Sequence, residues 1–140
     1  MTRTGSERGT APPRNVVDSS AWLAYFAGEP TAAEFAAAIE DVTHLVVPAV
    51  CVLEVFKVVA RQRGERDALQ VAAVMQQGDV VPVNAALALA AARVGAAHGL
   101  ALADSLVYAT ARAVGGVVWT QDAHFDGLAG VQYVQKHRPT

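Results

Sequence analysis

Four carboxylates stand where the chain has little reason to carry charge. Asp18 ends the apolar run Val16-Val17 and is followed by Ser19 and Ser20. Glu54 interrupts Val50-Cys51-Val52-Leu53 and Val55-Phe56, and Asp104 is the only formally charged residue between Arg93 and Arg112. Asp122 follows Val118-Trp119-Thr120-Gln121. An unpaired carboxylate among apolar neighbours is costly, so each calls for a partner. Local partners exist for all four. Glu54 can pair with Lys57 at i+3 or sit against a helix dipole. Asp104 suits the first turn of a helix, and Asp18 and Asp122 suit caps. Convergence is the other solution. Carboxylates about 4 Å apart repel by roughly 4 kcal/mol per pair at an effective dielectric near 20, so a convergent set needs protons or cations. Oxygen-only ligands favour Mg2+ or Mn2+ over zinc. A carboxylate-held pair of such ions about 3.5–4 Å apart serves phosphodiester cleavage.

Other chemistries find less support. His44, His98, His124 and His137 show no metal-ligand spacing. No Gly-rich loop precedes a Lys-Ser/Thr pair, and no Gly-x-Ser-x-Gly elbow is present. An Asp-based phosphoryl-transfer site at Asp18 is an alternative, but the second aspartate of an Asp-x-Asp motif is Ser20 here. Cys51, Trp22, Tyr25, Phe26 and Phe56 read as core. The net charge of −2 gives no bulk attraction to nucleic acid, so local cations or metal ions must meet any phosphates.

The elements that would position these acids follow from the periodicity. Strands are expected at Val16–Asp18, His44–Val47, Val80–Val83, Val117–Thr120 and Val131–Val134. Helices are expected from Ser20 to Ala27, Pro30 to Asp41, Pro48 to Arg63, Glu65 to Gln77, Asn84 to His98 and Leu102 to Val114, with one helical turn near Ala123 to Leu128. Ser19 or Ser20 is expected to cap the first helix, and the helix around Glu54 is expected to be buried all round. Continuously apolar strands alternating with helices indicate a parallel sheet covered on both faces. Strand-end aspartates and acids early in the following helices then share one sheet edge, where ligands bind in such folds. Residues 1–13 are expected to be a flexible tail and 14–140 a single domain. One cysteine, no signal-like apolar stretch and no run long enough to span a bilayer fit a cytoplasmic protein.

The fragments Val-Val-Asp18-Ser-Ser-Ala, Leu-Glu54-Val-Phe-Lys, Leu-Ala-Asp104-Ser-Leu-Val-Tyr and Trp-Thr120-Gln-Asp122-Ala-His-Phe125 resemble, in this order and at these intervals, the PIN-domain family and its VapC-type ribonuclease toxins. The resemblance covers about residues 16–134. It implies a three-layer α/β/α sandwich with a central, mostly parallel sheet of about five strands. It also implies a homodimeric, Mg2+- or Mn2+-dependent endoribonuclease with an antitoxin whose C-terminal segment covers the site. Asp18, Glu54, Asp104 and Asp122 become the catalytic, metal-binding acids, with Ser19 and Thr120 in support. The family often has a further acid two residues after the fourth. Here that place is His124, and Asp126 is the expected substitute. Lys57 and Arg61 are the expected RNA-binding cations. Water rather than the 2′-hydroxyl would attack, leaving 5′-phosphate and 3′-hydroxyl ends. A PIN-fold binding module without catalysis is the alternative.

Overall fold

The computed structural model describes residues 12–136. The expected tail therefore lies outside the described residues, apart from its last two positions. Five short strands form the sheet: β1 (Asn15–Val17), β2 (Leu45–Pro48), β3 (Asp79–Val81), β4 (Val117–Thr120) and β5 (Val131–Tyr133). All pair in parallel, in the order β3-β2-β1-β4-β5. Among the described residues the helices are α1 (Ser19–Ala27), α2 (Ala32–Glu40), α3 (Ala49–Arg63), α4 (Glu65–Met75), α5 (Ala85–His98) and α6 (Leu102–Val114), with a 3-10 turn at Ala123–Phe125.

Right-handed crossovers put α1 to α4 on one face of the sheet and α5 with α6 on the other. This is the three-layer α/β/α arrangement the sequence implies. Val16, Val17, Val46, Val47 and Val118 are fully buried within the sheet because both faces are covered. Trp22, Phe35 and Met75 fill one layer, and Val107 and Tyr108 fill the other. The Trp119 indole N–H donates to Asn15 Oδ1 at 3.0 Å and ties β4 to β1.

Several boundaries differ from the sequence expectation. The cap of α1 is Asp18 itself, in extended conformation, with its side chain accepting from the Ser20 N–H. Ser19 and Ser20 are the first helical residues. The second helix starts at Ala32 rather than Pro30, because Pro30 and Thr31 form a turn. The third strand is Asp79–Val81 rather than Val80–Val83. Pro82 has no N–H for a ladder, and Val83 turns out to solvent. The largest correction concerns α3. It buries only the stripe Cys51, Val55 and Val59, while Leu53 is 63% exposed. An apolar sequence all round the helix does not force burial all round when only one side meets the sheet.

Among the described residues no single helix is long and apolar enough to cross a membrane. The α5–α6 pair reaches that length and composition only across a 110° bend.

Candidate metal centre

The strand order fixes where ligands can gather. From β1 the chain moves outward through β2 to β3, then returns to place β4 on the other side of β1. The carboxyl ends of β1 and β4 thus flank the point where the winding reverses, the usual crevice of an open parallel sheet. Asp18 lies one residue past β1, and Asp122 two past β4. The helix α3 starts directly after β2, so Glu54 sits in its second turn. The first turn of α6 carries Asp104.

Asp18 is 3% exposed. Its Oδ2 accepts from Ser20 Oγ at 2.8 Å and from Thr120 Oγ1 at 2.9 Å. Burial raises its pKa, and the hydrogen bonds from Ser20 and Thr120 and from the Ser19 and Ser20 backbone oppose the rise. Burial and these two bonds make Asp18 poorly placed as a phosphate acceptor. Ser19 Oγ donates to Glu54 Oε1 at 2.6 Å. Glu54 forms no ion pair with Lys57 among the described residues, so the local pairing open to the sequence is not the one realised. Cys51 is fully buried next to Ser19. Its thiol is pushed well up by burial and then by the charge of Asp18.

Asp104 reports on the whole cluster. Its pKa is pushed up to about 7, first by burial and then by the charges of Asp122, Asp18 and Glu54, with His124 opposing. The charges of the other three acids thus all act on this one carboxyl. The tightest part is Asp104, Asp122 and His124, each of which offers one ligand atom within 4.8 Å of the others. Asp18 and Glu54 stand outside this trio. Asp126, exposed at the end of the 3-10 turn, is not part of it either, and His124 stands there instead. Lys57 and Arg61 are exposed along α3, three and seven residues beyond Glu54, and so on its side of the helix. A site rich in carboxylates, with an acid whose pKa is raised by burial and by its neighbours, fits a divalent cation.

Three contributors were missed in the sequence. Ser20 donates to Asp18 and accepts from the Gln121 N–H at 3.1 Å. Gln121, 5% exposed, accepts from Thr31 Oγ1 at 2.7 Å and donates to Glu29 Oε1 at 3.3 Å. It therefore keys the α1–α2 turn onto the loop after β4. His124 is the third. The signal for it was its place two residues after Asp122, where the resemblance implies that a further acid often stands.

The PIN domain model matches residues 16–131. No curated protein matches the chain. Among solved structures, a toxin–antitoxin complex from Klebsiella pneumoniae is similar at a TM-score of 0.73 and 16% identity, covering 89% of this chain and 99% of that one. VapC20 from Mycobacterium tuberculosis, described as a sarcin-ricin loop cleaving toxin, is similar at 0.70 and 21%, covering 84% and 96%. A DNA-bound VapBC from Salmonella typhimurium is similar at 0.66 and 13%, covering 88% and 98%.

Proposed function

The chain belongs to the PIN-domain family, and on that premise we propose that it is a metal-dependent endoribonuclease, the toxin of a toxin–antitoxin pair. The observation that carries this reading is the gathering of Asp104, Asp122 and His124 at the carboxyl edge of the sheet, with one ligand-capable atom of each within 4.8 Å of the others. A divalent ion bound there supplies Lewis-acid polarisation of a phosphodiester and a water acidified toward neutrality. The residues of the chain set the rest. Asp104 and Asp122 would hold the ion, with help from Asp18 in a position fixed by Ser20 and Thr120. Glu54, steadied by Ser19 Oγ, orients the attacking water. Lys57 and Arg61 are free among the described residues to meet the RNA backbone. RNA as substrate is supported by the likeness to a toxin described as cleaving the sarcin-ricin loop.

The similarity to toxin–antitoxin complexes supports an antitoxin partner, and a groove suits it. A trough of about 510 Å³ runs between α1 and the α3–α4 hairpin, lined by Leu23, Phe26, Val59, Val71 and Val74, with Arg63 and Asp67 among its polar residues. Both α1 and α3 begin at the catalytic edge. Leu23 and Val59 therefore lie one to two turns from Ser19 and Glu54, roughly 6–8 Å along the helices. An apolar segment in the trough can extend a cationic side chain to the acids.

Sequencing RNA ends after expression of the wild-type chain and of Asp18→Asn tests the activity. New 5′-phosphate ends with the wild type, absent with the variant, are expected. Identical end profiles would contradict a nuclease and favour a binding module.

A further inference from the structure

His124 stands apart from the other described histidines because its ring meets two acids at once. Its Nδ1 lies 3.1 Å from Asp122 Oδ1 and 3.9 Å from Asp104 Oδ2. Around an octahedral ion with bonds of about 2.1 Å, neighbouring ligand atoms stand about 3.0 Å apart and opposite ones about 4.2 Å. The separation from Asp122 matches neighbouring ligands, and the one from Asp104 lies between the two values. The backbone beneath the ring is fixed on both sides. Asp122 Oδ1 accepts the His124 N–H at 2.9 Å, and the next residue, Phe125, is fully buried. The ring itself is 78% exposed. Its position above the acids is therefore not explained by packing into the core.

We propose that His124 Nδ1 is a metal ligand in this chain, making the centre a mixed oxygen–nitrogen site that takes Mn2+ or Co2+ in preference to Mg2+. Mg2+ binds through oxygen and gives up its waters reluctantly. Imidazole suits the later first-row ions, whose affinity for nitrogen donors rises along the series. Imidazole in place of a carboxylate exchanges one unit of negative charge for a softer donor. The inference rests on the metal-dependent nuclease reading and deepens it by naming the ion.

The test is Mn2+ electron spin-echo modulation on wild type, His124→Ala and His124→Asp, with isothermal titration of Mn2+ and Mg2+ into each. Expected are directly coordinated ¹⁴N modulations in the wild type that vanish in both variants. The Mn2+-to-Mg2+ affinity ratio should fall roughly ten-fold in His124→Asp, the scale at which single groups around metal sites act. Because the ring is exposed, both variants should fold, and their circular dichroism should match the wild type. Mn2+ binding without nitrogen modulation, or modulation that persists in His124→Ala, would overturn the proposal and leave the nuclease reading standing. No Mn2+ binding by the wild type would overturn both.

Discussion

Asp104 carries the clearest consequence of the clustered acids. Its pKa is near 3.8 as a free side chain and about 7 in the fold. Between those values the folded protein holds a proton that the unfolded chain has released. The stabilising contribution is therefore complete below the lower pKa and is lost as pH rises through about 7. Asp18, also raised by burial, adds to the same slope. The thermal midpoint of the metal-free protein should fall between pH 5.5 and 8, and Asp104→Asn should flatten the fall. An unchanged slope in that variant, followed by calorimetry, would show that Asp104 does not titrate in this window. The four acids were legible in the sequence because a charge inside an apolar run needs a physical reason. Ser20 and Gln121 were not, since polar residues at strand ends are common and only their bonds to Asp18 and Thr31 distinguish them. The place of His124 two residues after Asp122 was visible in the sequence, but its approach to both Asp122 and Asp104 was not.

The order and type of the elements followed from short β-branched runs alternating with helical patterns punctuated by glycine. Gly28, for example, ends α1 at φ 66°, a left-handed conformation that other residues adopt only with strain. Boundaries failed where one residue had two readings. Val83 continues an apolar run, yet Pro82 ends the ladder before it. The burial of α3 failed because side-chain type does not say how many sides of a helix meet a neighbour. From α3, the trough proposed for the antitoxin is lined by Val59, Gln62 and Arg63. Val74, on α4, lines the trough and is 38% exposed, so a charge there should be tolerated by the fold. Val74→Glu is expected to weaken the complex with the neighbouring open reading frame's product by ten-fold or more, roughly 1.4 kcal/mol. Surface plasmon resonance measures this, and unchanged affinity would place the partner elsewhere.

The parallel sheet was readable from the sequence, but its strand order was not. The neighbours Asn15 and Val117 are about a hundred residues apart in the chain and pair only in the folded protein. That pairing creates the crevice, so the site's location depends on the one feature that local patterning could not supply. It also brings Thr120 to Asp18. The central claim is that this convergence builds a metal-dependent hydrolytic centre. Cleavage of a labelled single-stranded RNA by purified protein, stripped with EDTA and then resupplied with Mn2+ or Mg2+, tests it directly when the product ends are identified. Cleavage should appear only with metal and leave 3′-hydroxyl ends. It should drop by roughly 100-fold in Asp104→Asn, the scale of losing one electrostatic stabiliser. Metal-independent cleavage, cyclic phosphate ends, or a full rate in Asp104→Asn would contradict it.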